Sequence, residues 1–280
     1  MCRWLAYSGS PVRPEWLLYR TGHGLIDQSL AAREMDHPIN GDGFGMGWYG
    51  TAQSPGLYRN VAPAWSDRNL RELCMQLETP LYIAHVRAST GAPVQETNCH
   101  PFRYGRWLFV HNGFIDGYPQ LRRELMFAVD SDLFVHIQGT TDSELLFYLA
   151  LTFGLDEDPL PALERMAGFV ESCGRRRGFE YPLQMTIGVC NGERVYAVRY
   201  ASGQRVNTLY ASSSASDLKR LYPNVPEIQA LSDEARAIVS EPLQALPGTW
   251  HEVPPGTALI IQAGDDDELP FRPRAPAISQ

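Results

Sequence analysis

Strand signals and helix signals fall in separate blocks along this chain, which predicts an α+β fold of antiparallel sheets covered by helices rather than a doubly wound parallel sheet. Two observations carry that class. Short apolar and aromatic runs at 81–86 and 106–111, bounded by Pro or Gly, have the length and composition of buried strands. Asn191-Gly192, flanked by the β-prone segments 184–190 and 193–200, is the strongest short-range hairpin signal a sequence offers, and a hairpin is antiparallel.

The remaining elements follow in chain order. A strand is expected at 45–49, with Asn40-Gly41-Asp42-Gly43-Phe44-Gly45 as a glycine-rich turn leading into it. A helix is predicted over 66–77, its first turn capped by Ser66, and further helices over 119–128, 142–153 and 160–173. After the hairpin, strands are expected at 207–211 and 257–262. The acidic Asp265-Asp266-Asp267-Glu268 reads as a solvated turn and the Pro-rich 270–280 as a tail, giving one domain over 2–262 followed by a tail over 263–280.

Composition narrows the function classes. A chain of 280 residues, 44% hydrophobic and 20% charged, is ordinary for a soluble globular protein. A formal charge of -8 argues against a nucleic-acid surface, and the one basic run, Arg175-Arg176-Arg177, is short. Cysteines at 2, 74, 99, 173 and 190 form neither a CxxC pair nor a zinc spacing, so they read as reduced thiols with no metal site. Neither a signal peptide nor an 18-residue apolar run is found, so no membrane association is expected and the cytoplasm is the expected location.

The chemistry sits in five segments. Met1-Cys2-Arg3-Trp4 places a cysteine directly behind an initiator methionine that cytosolic processing usually removes before so small a residue. The mature chain would then open with one residue carrying a thiol of ordinary pKa about 8.5 and an α-amino group of ordinary pKa about 7.7 to 8.0, a nucleophile and a base on one skeleton. In Ala84-His85-Val86-Arg87-Ala88-Ser89-Thr90-Gly91, Arg87 at a strand exit suits a carboxylate by a bidentate pair, with Thr90 as a further donor; read alone, it serves equally to cap a sheet edge. Glu96-Thr97-Asn98-Cys99-His100-Pro101-Phe102 is a polar turn in which His100 reads as structural. Asn112-Gly113, after the strand ending in Val110-His111, is either a turn or an oxyanion hole, the Asn side-chain amide and the Gly N–H aimed at one point. Thr140-Thr141-Asp142-Ser143-Glu144 precedes an apolar helix, so Asp142 is either its N-cap or, in a cleft, a receiver of a substrate ammonium.

In this order and at these spacings, Cys2, HVRAST, NCHPF, VHNG and TTDSE resemble the glutaminase domain of class II glutamine amidotransferases, a family of N-terminal-nucleophile hydrolases. The resemblance is specific from 2 to about 147 and more diffuse to about 262. It implies a four-layer αββα sandwich of two antiparallel sheets. It also implies Cys2 as nucleophile with its α-amino group as base, Asn112 and Gly113 as oxyanion hole, Arg87 and Thr90 as binders of a glutamine or γ-glutamyl α-carboxylate, and Asp142 as binder of the α-ammonium. No cofactor and no metal is implied. The Asn40 to Gly45 loop stands where biosynthetic members carry an arginine-containing loop, which leaves its role open. The Met-Cys-Arg-aromatic-Leu start, NGDGFG, HVRAST and ETNCHPF are similar to the stand-alone subunit of a fungal glutathione-degrading complex, and more distantly to a γ-glutamyl hydrolase of ergothioneine biosynthesis.

Three functions follow as expectations. The first is hydrolysis of a γ-glutamyl amide bond in glutamine, glutathione or a related compound, with a metallopeptidase as the implied kind of partner. The second is a glutaminase subunit that passes ammonia to a separate synthetase, since no phosphosugar, phosphoribosyl or synthetase domain follows on this chain. The third is an inactive glutamine sensor, against which the joint presence of Cys2, Arg87, Asn112, Gly113 and Asp142 speaks. Arg175 to Arg177 read as a solvated loop, the alternative being contact with a peptide carboxylate beyond the scissile bond.

Overall fold

The computed structural model describes residues 2–34, 38–89, 91–244, 246–262 and 266–276. The first half holds β1 (Arg3–Val12), α1 (Leu25–Ala31), β2 (Phe44–Trp48), β3 (Gly56–Asn60), α2 (Arg68–Gln76), β4 (Thr79–Val86), β5 (Phe102–Tyr104) and β6 (Trp107–Ile115). Four helices follow, α3 (Tyr118–Phe127), α4 (Ser131–Phe134), α5 (Asp142–Thr152) and α6 (Pro159–Arg176). The last part holds β7 (Leu183–Cys190), β8 (Val195–Ala201), β9 (Tyr210–Ser212), α7 (Ala215–Leu221), α8 (Pro226–Gln229), β10 (Arg236–Val239), β11 (Trp250–Glu252), β12 (Thr257–Ile261) and β13 (Asp267–Pro270). Among the described residues the strands form a seven-stranded sheet, β11-β9-β10-β1-β4-β2-β3, and a six-stranded sheet, β13-β12-β8-β7-β6-β5. Both are antiparallel.

Alternation along the strands builds the layers, since successive side chains point to opposite faces. Trp4 and Ala6 of β1 and Leu81 and Ile83 of β4 meet Leu108 and Val110 of β6 and Ala197 of β8, which fills the space between the sheets. The intervening Leu5, Tyr7, Tyr82 and Ala84 pack outward with α1, α2 and α7. On the other side, Phe109, Met185 and Ile187 pack outward against α3, α5 and α6. The result is the four-layer αββα sandwich. Helix α5 is buried on every side from Ser143 to Leu151, as a helix held between a sheet and other helices must be. No helix among the described residues is long and apolar enough to cross a membrane.

Several local expectations need correction. Asp67, not Ser66, caps α2: its carboxylate accepts from Leu70 N at 2.8 Å, while Ser66 Oγ donates to Pro63 O within a preceding 3₁₀ turn. A charged acceptor suits the positive end of the helix better than a hydroxyl does. Asn191-Gly192 does not form a two-residue turn; Cys190 pairs with Val195, and the loop closes when Asn191 Oδ1 accepts from Glu193 N and Arg194 N. Asn112-Gly113 is no turn either, because β6 continues through it, with Asn112 opposite Thr186 and Gly113 opposite Met185. The strand expected at 207–211 is Tyr210–Ser212. Where a solvated turn and tail are expected, Asp267–Pro270 pairs with β12 and Phe271 is buried against α6 and Tyr200; Asp265 and 277–280 lie outside the described residues.

Candidate active site

Strand parity creates the site. Cys2 precedes β1 and shares the phase of Trp4 and Ala6, the face turned toward the second sheet. Asn112 on β6 shares the phase of Leu108 and Val110, the face turned toward the first. The two residues therefore meet at the open end of the sandwich, where an open cleft of about 770 Å³ is lined by Cys2, Ala88, Asn112, Gly113, Tyr118, Arg122, Asp142 and their neighbours. Trp4 fixes the register, being fully buried with its indole N–H donating to Thr186 Oγ1 at 3.1 Å. A one-residue slip would turn Trp4 out of the core, at about 1.5–3 kcal/mol or more for a side chain of this size, and turn Cys2 away from the cleft.

The Cys2 thiol lies 3.6 Å from Ala88 O. Burial pushes its pKa up, opposed by a backbone contact at Ala88 and by the charges of Arg87 and Arg3. A thiol so placed stays protonated at neutral pH unless a base takes its proton.

Facing it, Asn112 is 1% exposed and its Nδ2 has no hydrogen-bond partner. The reason is Asn207, whose Nδ2 donates to Asn112 Oδ1 and to Asn112 O, both at 3.2 Å. With its oxygen held from behind, the Asn112 amide is left with a free donor, which is what a developing oxyanion needs. Asn207 carries no sequence signal: it sits in an irregular segment outside every motif. Gly113 lines the same cleft, and a Cβ there would lie 1.9 Å from Gln184 O, so only glycine fits.

At the other end of the cleft, Thr141 rather than Asp142 caps α5, its hydroxyl accepting from Glu144 N at 3.1 Å. Asp142 opens the first turn with one carboxylate oxygen accepting from Ile115 N at 2.9 Å and the other from Ser143 N at 2.8 Å. This carboxylate is thereby tied to β6. Tyr118 donates to Thr141 O beside it, and burial together with the nearby Asp142 charge keeps the phenol protonated.

Arg87 is not among the residues lining the cleft. Its guanidinium is buried and donates to Asp42 O, Ser89 Oγ and Ala92 O at 3.2–3.3 Å. Thr90 lies outside the described residues. The Asn40 to Gly45 loop is what grips this segment: Asp42 N and Arg87 O, Arg87 N and Gly43 O, and Ser89 N and the Asp42 carboxylate pair at 2.8–2.9 Å. Arg122 is the arginine that reaches the cleft. The 175–177 run is a helix end, not a loop, with Arg175 on Glu171 and Arg176 and Arg177 on Glu124. Behind Asn112, His85, His100 and His111 are buried, His85 stacked on His100 at 4.1 Å. Burial holds all three below the ordinary histidine range, His85 down to about 3, so they are neutral. Among the described residues no cluster of three metal-ligating side chains occurs.

A two-sheet αββα sandwich with a cysteine at the head of its first strand defines the class: an amidotransferase fold of the N-terminal-nucleophile hydrolase type. The profile of "Glutamine amidotransferases class-II" matches residues 25–277, and the chain belongs to that family of enzymes. It is 30% identical, over 94% of its own length and 82% of the relative's, to the probable glutamine amidotransferase DUG3 of Saccharomyces cerevisiae. It is 36% identical to a γ-glutamyl-hercynylcysteine sulfoxide hydrolase of Mycobacterium tuberculosis over 118 residues, 41% of this chain and 50% of that one. A glutamine aminotransferase class-II domain protein from Silicibacter pomeroyi superposes with a TM-score of 0.71 at 30% identity, covering 97% of this chain and all of that one.

Proposed function

We propose that this enzyme hydrolyses a γ-glutamyl amide bond through a γ-glutamyl thioester on Cys2. The observation that carries this reading is the unpartnered, buried Asn112 Nδ2 in the cleft that Cys2 lines. Removal of Met1 leaves the Cys2 α-amino group free to take the thiol proton. The thiolate attacks the γ-carbonyl carbon, and the oxyanion collects donors from Asn112 Nδ2 and the Gly113 N–H. Collapse expels the amine, which leaves with the proton held by the α-amino group, and water then cleaves the thioester to glutamate. One such donor is worth roughly 2.7 to 4 kcal/mol of transition-state stabilisation.

Asp142 takes the α-ammonium in this reading. Arg87 and Thr90 take the α-carboxylate once the guanidinium exchanges its contacts with Ser89 and Ala92 for the substrate. The substrate is a γ-glutamyl peptide or related amide, glutathione among them. Support comes from a relative named for γ-glutamyl hydrolysis. A metallopeptidase subunit fits as a partner that consumes the released peptide. Glutamate release from glutamine, glutathione and short γ-glutamyl peptides tests the reading: cleavage of a γ-glutamyl peptide is expected. Turnover of glutamine alone would overturn the peptide assignment in favour of an ammonia donor with a synthetase partner.

A further inference from the structure

On the opposite face of β1 from Cys2, one residue along, lies a buried charged pair that the mechanism above does not use. Arg3 and Glu241 are 2% and 1% exposed, and Arg3 Nε donates to Glu241 Oε1 at 2.5 Å. Glu241 also meets His23 Nε2 at 3.1 Å and accepts from Arg33 N at 2.9 Å and Glu34 N at 3.2 Å. A second arm of the same guanidinium, Arg3 Nη1, donates to the carbonyl oxygen of Cys2 at 2.9 Å. Next to it, Trp4 N donates to Ser240 Oγ and Ser240 N to Trp4 O, both at 3.0 Å. The start of β1 is thus bolted to residues 240–241 through side chain and backbone alike.

We infer that Glu241 is a positioning residue for the nucleophile: through Arg3 it fixes the Cys2 carbonyl, and with it the direction in which the thiol faces Asn112. The inference rests on Cys2 being the nucleophile. A buried ion pair is weak evidence of stabilisation, because apolar side chains of similar size often fill such a space at no loss. What distinguishes this one is its aim. Glu241 is already supplied with other donors, and Arg3 Nη2 has no acceptor at all, so the fork is not arranged to satisfy itself but to join Glu241 to the Cys2 carbonyl. Only a planar fork reaches both at once; a lysine reaches one. The residue ahead of β1 has no sheet partner of its own, so without this tether its carbonyl is free to turn. Misplacement of a reacting group by an ångström can cost about 100-fold in rate. Arg3 also lowers the Cys2 pKa, a secondary benefit of the same contact.

The experiment uses the full chain and compares wild type with Arg3→Met, Arg3→Lys and Glu241→Gln by glutamate release, with circular dichroism and urea unfolding on each. For folded Arg3→Met and Glu241→Gln, kcat is expected to fall about 10- to 100-fold with KM within about twofold, and Arg3→Lys to lie between them and wild type. Alkylation of Cys2 by iodoacetamide should persist in all three, which separates a misaimed thiol from a buried one. Unchanged kcat in a folded variant, or a loss that appears wholly in KM, overturns the inference alone. Failure of both Arg3→Met and Glu241→Gln to fold also overturns it, by making the pair a folding element. Absence of glutamate release by wild type from every γ-glutamyl substrate removes the nucleophile reading and the inference with it.

Discussion

The two ends of the cleft treat their polar groups in opposite ways. At the Cys2 end they are oriented but unoccupied: Asn112 is held by Asn207 so that its own Nδ2 has no partner. At the other end Asp142 is already satisfied, accepting from Ile115 N and Ser143 N before any substrate arrives. The difference separates two tasks. A donor kept empty and rigid interacts most strongly with charge that appears only in the transition state. A carboxylate already fed by two amides keeps its charge and place while offering its remaining lone pairs to a cation that is present from binding onward.

Asn112→Ala breaks the first end most directly, with an expected fall in kcat of roughly 10²- to 10³-fold and little change in KM. A folded Asn112→Ala enzyme with unchanged kcat would make the empty donor incidental. Asp142→Asn removes the charge while preserving the shape, so its loss should fall on KM, by about 10- to 100-fold for a charged hydrogen bond of about 1.5–3 kcal/mol. A kcat defect at constant KM would place Asp142 in the chemical step instead. Asn207→Leu tests whether Asn112 needs to be held: one lost hydrogen bond of about 1–1.5 kcal/mol predicts a five- to tenfold lower kcat, again at constant KM. An additive effect in the Asn112→Ala/Asn207→Leu double variant would show that Asn207 does not act through Asn112.

The neutral histidines behind the oxyanion end give a pH signature. Folded His85 has its pKa lowered from 6.5 to about 3, so between those values the unfolded chain binds the extra proton and the folded chain does not. Stability therefore rises with pH across that window and is lost on acidification below about 6.5, by up to about 1.4 kcal/mol per pH unit for each such histidine. Urea midpoints at pH 7 and pH 5 should show the decline, and His85→Phe should flatten it. A midpoint that is equal or higher at pH 5 contradicts a buried neutral His85.

Much of the architecture is legible where the pattern is local. Leu81 to Val86 and the strand through Val110 announce themselves by unbroken apolar runs, and the pairing of β7 with β8 by the Asn191-Gly192 signal, although the turn chemistry there differs. β1 is apolar on both faces because both are buried, so its alternation carries no polar mark. β9, β10, β11 and β13 are three or four residues long and exist through their neighbours, which no local pattern encodes. The site divides in the same manner. Cys2, Asn112, Gly113 and Asp142 stand in motifs and line one cleft, whereas Asn207 and Glu241 act on partners 95 and 238 residues away with nothing local to mark them. Arg87 is legible as a functional arginine, but the loop contacts that occupy it are set by Asp42 and Ala92, and only the fold brings those together.

The central claim, that Cys2 is the nucleophile of a γ-glutamyl pocket, is tested most directly by treating the protein with a γ-glutamyl diazoketone of the glutamine-analogue type and locating the adduct by intact mass and peptide mapping. The account predicts a single adduct on Cys2, on a chain from which Met1 has been lost, with glutamate release extinguished in step and no adduct on the Cys2→Ala protein. Labelling at Cys74, Cys99, Cys173 or Cys190 with Cys2 untouched, or full activity from a chain that retains Met1, would contradict it.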